Sequence, residues 1–260
     1  LFDKPVIIKK FELLFNNNLY LLRCWSEEGD WGVSVPSPRV TYLGDLLEQQ
    51  ILPFFIGKDA RDLEKLLEQV YVLDNNYKLS GLAYWCPISW LEGAILDMLG
   101  RMKGVPVGEL LGDVLRDEVS IYIASGNRGT TPEEEIEILA GRVEKAGAKA
   151  IKFKVGGRMS RNLDSMAGRS ENLLMQTRKH FGDDMIIHAD GNGSYDAEHG
   201  IQIGKLCEEI DAYFFEEPCL FDDLWATREV AQSLTIPLAF GEQETSLRRF
   251  QWIIENNAAQ

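Results

Sequence analysis

Two lysines two residues apart, Lys152 and Lys154, close one short apolar run of the chain, and acidic residues close the next three. Asp190 ends residues 185–190, Glu216 and Glu217 end residues 212–217, and Glu242 ends residues 236–242. The interval from Asp190 to Glu216 is 26 residues, and from Glu216 to Glu242 it is 26 again. If each run is a strand, equal intervals set the three carboxylates side by side at the strand ends. Oxygen ligands on rigid strands, with positions left for water and substrate, suit a hard cation such as Mg²⁺. Residues two apart on a strand share a face, so Lys152 and Lys154 point the same way. Each ammonium disfavours the other's charge, which is expected to lower a lysine pKa from about 10.4 toward the roughly 7–8 useful to a general base. A lysine pair beside three carboxylates outlines proton abstraction next to a substrate carboxylate, with a metal stabilising the enediolate that forms.

Such residues need strands to hold them. Residues 6–15, 19–25 and 31–34 read as strands of a small α+β unit, separated by Asn16-Asn17-Asn18 and Glu28-Gly29-Asp30. Helical spacing follows over 42–52, 59–71 and 88–102. From Val119 the pattern changes to short apolar runs (119–123, 150–155, 185–190, 212–217, 236–242) alternating with amphipathic helices, the last near 247–256. Five strand–helix units in a row mean an α/β fold with a parallel sheet. Polar residues ending one strand after another are the pattern of a parallel barrel, whose sites are built on that rim. A barrel closes with about eight strands, so the sequence predicts a partial TIM-like barrel of about five βα units with the C-terminal strands missing.

Composition excludes other classes. The chain of 260 residues is 45% hydrophobic and 26% charged, ordinary for a globular protein. A formal net charge of −14 argues against nucleic acid as a partner and makes an internal cation easier to hold. No apolar run approaches a membrane span, and Leu1-Phe2-Asp3-Lys4 does not begin a secretion signal. Four cysteines without a CxxC pair read as reduced thiols of a cytoplasmic protein, not as a disulfide frame or zinc site.

Four motifs in order, Lys152-Phe153-Lys154, Asp190-Gly191-Asn192, Glu216-Glu217-Pro218 and Gly241-Glu242-Gln243, each end their own run. In them the chain resembles the enolase superfamily, mandelate racemase/muconate lactonizing enzyme family, along essentially its whole length. Ser89 to Asp97, with Gly100, Pro106 and Leu110-Leu111-Gly112, resembles that family's joint between capping domain and barrel. The resemblance implies an α+β capping domain that sets substrate specificity (1–115) and a (β/α)7β barrel (116–260, in part). It implies Asp190, Glu216 and Glu242 as Mg²⁺ ligands and Lys154 as the base. Lys152 would tune that base and touch the substrate carboxylate, and Asn192 and Glu217 would border the substrate. Glu242 resembles the racemase/dehydratase branch, since the cycloisomerase branch usually places Asp there. Some sugar-acid dehydratases carry a histidine where Asn192 stands, so the base is expected to be Lys154.

The implied activity is dehydration of an aldonate or aldarate to a 2-keto-3-deoxy acid. The alternatives are a racemase or epimerase of a 2-hydroxy acid, and a barrel that binds a metal or sugar acid without turnover. The family's Asp–His dyad belongs to its sixth and seventh strands, outside the runs above, so dehydration and racemisation both stay open. A homo-oligomer is the family's common state.

Blander readings compete at each position. A lone KxK is more often a solvated edge, and Glu216-Glu217 resembles an exposed turn; helices flanking the first and Tyr213-Phe214-Phe215 before the second favour burial. His188 shares a face with Asp190 and reads as a satisfied core histidine, while His180 and His199 read as surface residues. The loop from Gly156 to Arg169 lacks phosphate-cradle spacing. It offers Arg158 or Arg161 to a distal carboxylate or hydroxyls of a substrate, and residues 36–42 read as a second substrate-facing loop.

Overall fold

The computed structural model describes residues 2–17 and 19–260, so Leu1 and Asn18 of the expected first turn lie outside the described residues. The chain divides into two compact units, Leu1–Asp117 and Glu118–Gln260.

In the first unit, β1 (Ile8–Asn16), β2 (Leu19–Ser26) and β3 (Trp31–Ser34) form an antiparallel sheet in the order β1-β2-β3. Helices α1 (Val40–Leu46), α2 (Leu52–Phe55), α3 (Leu63–Val72), α4 (Gly81–Lys103) and α5 (Val107–Leu111) follow. The expected helix over 42–52 starts earlier and passes through a π turn at Leu47–Ile51. Ile8, Leu22 and Cys24 of the sheet and Leu91, Ile95 and Met98 of α4 are fully buried in one core. No described helix is long and apolar enough to cross a membrane.

In the second unit, strands and helices alternate: β4 (Ile123–Ala124), α6 (Pro132–Ala146), β5 (Ala150–Lys154), α7 (Arg169–Phe181), β6 (Ile186–Asp190), α8 (Ala197–Glu209), β7 (Phe214–Glu216), α9 (Leu224–Ser233), β8 (Leu238–Ala239) and α10 (Leu247–Glu255). The sheet is parallel and its order, β4-β5-β6-β7-β8, never reverses. Right-handed crossovers in one direction put α6 to α9 on one face, where each packs on the next. That is one wall of a (β/α) barrel with about five units, not a doubly wound sheet.

The period of two sorts the side chains. Ile151, Phe153, Ile187, Ala189 and Phe215 are fully buried in the apolar cluster they share with the helices. Burying each large side chain contributes roughly 1.5–3 kcal/mol. The alternate positions, Lys152, Lys154, His188, Asp190, Phe214 and Glu216, take the opposite face.

The helices start where local chemistry dictates. Thr131 and Glu134 close a reciprocal capping box at α6, with Pro132 in its first turn, and Asp196 and Asp223 cap α8 and α9. The first expected barrel strand is shorter than its apolar run: only Ile123 and Ala124 pair with β5, while Val119 and Ile121 are exposed. Apolar alternation marks residues that suit a strand, but a ladder forms only where a partner strand lies alongside.

Candidate active site

Register builds the site. Lys154 pairs with Asp190 and Asp190 with Glu216, so one row crosses β5, β6 and β7; the row below holds Lys152, His188 and Phe214. Glu242 lies beyond this row, in an exposed turn after β8, whose Ala239 is the partner of Glu216. The strand ends are locked together by main-chain bonds from Gly191 N–H to the Glu216 carbonyl (2.9 Å) and from Glu217 N–H to the Ala239 carbonyl (2.9 Å).

Two groups of charges result. In the first, Lys152 Nζ donates to Glu216 Oε2 at 2.5 Å and stands 3.5 Å from Asp190 Oδ2, while Lys154 Nζ donates to the same Asp190 oxygen. Asp190 has no exposed surface, and its Oδ1 accepts the Asn192 N–H at 2.9 Å. In the second, Asn192 Nδ2 faces Glu217 Oε2 (3.4 Å) and Glu242 Oε1 (3.5 Å), and Gln243 donates to Glu242 at 3.0 Å. Asn192 and Glu217 both take positive φ (44° and 43°), a sparsely populated region for residues with a side chain that clusters at functional sites.

The electrostatics differ from the sequence expectation. Burial works against the charge of Lys152, but the Glu216 carboxylate and the Tyr122 hydroxyl beside it prevail and hold its pKa above the usual lysine range. A neighbouring ammonium does not depress it, because each lysine faces a carboxylate. Burial also raises the Glu216 carboxyl, against the pull of Lys152. Glu217 is pushed up to about 7, first by burial and then by the Glu242 carboxylate, and its Oε1 has no partner among the described residues.

His188 is buried as expected but not satisfied. Its ring stacks on Phe214 (centroids 4.0 Å) and meets Tyr122 edge-on, its Nδ1 has no partner among the described residues, and burial with Lys152 nearby lowers its pKa to about 4. Arg158 is exposed and makes no hydrogen bond or ion pair among the described residues. Two arginines that sequence reasoning passed over are built into the rim. Arg169, 1% exposed, donates to the carbonyls of Thr130 (2.6 Å) and Lys154 (3.0 Å), and Arg128 donates to Gly156, Gly191 and Asn192. Neither belongs to a motif or an apolar period, so no sequence signal marked them.

Among the described residues, no three His, Cys, Asp or Glu side chains close on one point as a finished metal cage. The expected meeting of Asp190, Glu216 and Glu242 is divided: the first two share a lysine, and the third lies with Glu217 and Asn192. The donor set nonetheless fits a hard cation. Asp190, Glu216 and Glu242 are all near enough to raise the proton affinity of Glu217, and a buried carboxylate oxygen there lacks a donor. Oxygen-only, like-charged and partly buried, this cluster calls for positive charge.

The model of the enolase C-terminal domain-like family matches residues 135–260. L-talarate/galactarate dehydratase of Salmonella typhimurium is 28% identical over 211 residues, 81% of this chain and 51% of that protein. Arabinonate dehydratase of Saccharolobus solfataricus is 28% identical over 207 residues, 79% of this chain and 52% of that protein. The chain thus spans about half the length of these curated relatives. The crystal structure of a mandelate racemase/muconate lactonizing protein from Paracoccus denitrificans, complexed with magnesium, superposes with a TM-score of 0.86 at 25% identity, over 96% of this chain and 69% of that one. With a parallel wall of βα units and charged residues on its rim, residues 135–260 match the enolase C-terminal domain-like family, and nearly the whole chain is similar to a mandelate racemase/muconate lactonizing protein.

Proposed function

We propose that this protein removes the proton α to the carboxylate of an aldonate or aldarate and expels the β-hydroxyl as water, leaving a 2-keto-3-deoxy acid. The observation that carries the reading is the single row Lys154–Asp190–Glu216 across three adjacent parallel strands. The dehydratases of talarate/galactarate and arabinonate support the substrate class, and the magnesium complex of the Paracoccus denitrificans protein supports the metal.

Asp190, Glu216 and Glu242, with Glu217 beside them, would hold Mg²⁺. Bound there, it would supply positive charge to the substrate carboxylate as negative charge builds on it. Lys154 is the base: parted from Asp190, it gives one ammonium proton to solvent, and the neutral amine then takes the α-proton. Lys152, kept positive beside Glu216, lies one row deeper on the same face and offers a fixed charge to the substrate carboxylate. The Cα–H electron pair forms the new double bond, the Cβ–OH bond breaks with protonation of the departing oxygen, and the enol tautomerises to the ketone. Arg158 is free to meet the distal hydroxyls or second carboxylate. Residues 1–117 would act as the capping domain that selects among sugar acids, and association into a homo-oligomer is part of the same reading.

The test is incubation with Mg²⁺ in D2O against a panel of aldonates and aldarates that includes galactarate and arabinonate. A 2-keto-3-deoxy product is expected, and Lys154→Met should slow its formation by roughly 10²–10⁴. Deuterium at the α-carbon without loss of water would replace the dehydratase reading with an epimerase. Neither product nor exchange with any panel member would sink both.

A further inference from the structure

We infer that Arg128 is a positioning residue of this site: its guanidinium fixes which way the Asn192 amide faces and so holds the Glu217 and Glu242 carboxylates at the end of β6. The inference rests on the cation-binding reading above and assigns a role to a residue outside every motif.

Arg128 lies in the loop between β4 and α6. Its Nε donates to the Gly156 carbonyl (3.0 Å), and its Nη2 donates to Asn192 Oδ1 (3.0 Å) and to the Gly191 carbonyl (3.4 Å). One planar fork therefore ties its loop to the backbone just past both β5 and β6. Arg169 grips the same loop at Thr130 and joins it to the Lys154 carbonyl, so Arg128 is held from behind.

A guanidinium has donors and no acceptor, so the Asn192 atom facing it must be the amide oxygen. The NH₂ group is then turned away, toward Glu217 Oε2 and Glu242 Oε1. Ionised carboxylates only accept, so both sides select the same orientation. Without Arg128 the amide is free to flip and present its oxygen to two carboxylates that already repel. Asn192 also sits at φ 44°, a conformation that persists only where surrounding bonds impose it, and the Arg128 bonds to Gly191 and Asn192 are among those. Lysine would not replace it, because a point charge on a flexible stem lacks the fork that reaches Gly156 and Asn192 together.

The experiment titrates Mn²⁺ into wild type, Arg128→Gln, Arg128→Lys, Asn192→Ala and the Arg128→Gln/Asn192→Ala double variant, reading free Mn²⁺ by electron paramagnetic resonance. Arg128→Gln is expected to weaken binding about 10-fold or more, within the roughly 10–100-fold that outer partners of a metal site carry. Arg128→Lys should recover little of it, and the double variant should bind as Asn192→Ala does, because Arg128 acts through that amide. Multiplying losses in the double variant, unchanged binding in Arg128→Gln, or full recovery with lysine would each overturn the inference. Circular dichroism checks folding; should Arg128→Gln unfold, Arg128→Lys in the wild-type and Asn192→Ala backgrounds gives the same comparison. Wild type that binds no Mn²⁺ would overturn the cation reading together with this inference, an outcome distinct from the three above.

Discussion

Lys154 and Asp190 stand opposite each other on neighbouring parallel strands, and the ammonium of the first donates to the carboxylate of the second. Asp190 is wholly buried, so this lysine and Lys152 are its counter-charges. An ammonium has no lone pair to accept a proton, so Lys154 must leave Asp190 and shed a proton before it can act as a base. The proposed chemistry therefore needs the pair to part, and anything that satisfies Asp190 otherwise sets Lys154 free.

Replacing Lys154 by Met separates the two roles. Turnover should fall by roughly 10²–10⁴, the share a positioned base supplies. Mn²⁺ should bind at least as tightly as in wild type, because Asp190 loses a competing cation. Steady-state kinetics and a Mn²⁺ titration on one preparation check both; weaker Mn²⁺ binding would show that the lysine supports the site instead of competing for it.

Glu216→Gln leaves Lys152 with one carboxylate in place of two. Breaking a buried pair costs about 3–5 kcal/mol when nothing replaces the partner. Asp190 remains 3.5 Å away, so a loss of about 2 kcal/mol is the expected value. Urea unfolding at pH 7 measures it, and a change under about 0.5 kcal/mol would mean that Asp190 alone neutralises Lys152.

Much of this arrangement is legible in the sequence. The positions of β5, β6 and β7 follow from apolar runs that end in charge, and the alternation of Lys152 with Phe153 already separates the two faces of β5. The 26-residue rhythm reflects the constant length of one strand–helix unit, which brings Asp190 and Glu216 into register. It says less about Glu242, because β8 ends at Ala239 and Glu242 stands in the turn beyond it, outside the paired row. The sign of the Lys152 shift was not legible either: a lysine's nearest charge depends on which strands pair, and pairing put Glu216 closer in effect than Lys154. Arg128 and Arg169 recognise main-chain carbonyls, and a carbonyl has no letter in a sequence.

The pH dependence of stability should carry two opposing contributions. Glu217 titrates near 7 in the folded chain against about 4.3 unfolded, so the folded state binds its proton more tightly. That stability is complete below the unfolded value and is lost as pH rises through 7. His188 is the reverse: lowered from about 6.5 to about 4, it contributes fully above 6.5, and the contribution is lost as pH falls toward 4. Between about pH 4.5 and 6.5 the slopes cancel in wild type. Glu217→Gln should uncover the histidine, with stability rising over that window, and His188→Phe should uncover the glutamate, with stability falling. Each slope integrates to at most about 3 kcal/mol, and urea unfolding from pH 4.5 to 8 reads both; parallel profiles for the two variants would contradict the assignment.

Gly191 tests how closely the strand ends must approach. A methyl group there would sit 2.8 Å from the Glu217 carbonyl oxygen, which is itself fixed by the Gly193 N–H at 2.8 Å. Backbone cannot step aside as a side chain can, so Gly191→Ala must push the ends of β6 and β7 apart. The expected loss is about 2 kcal/mol, within the roughly 1–3 of overpacked sites, with at least a 10-fold loss of Mn²⁺ affinity because Asp190 and Glu216 flank the contact. Gly141, exposed within α6 with nothing within 4 Å of the added carbon, is the matched control. Alanine there should raise stability by roughly 0.4–1 kcal/mol through the unfolded chain and leave Mn²⁺ binding unchanged. If the two alanines behaved alike, the close passage of Gly191 over Glu217 would have no part in holding the carboxylates.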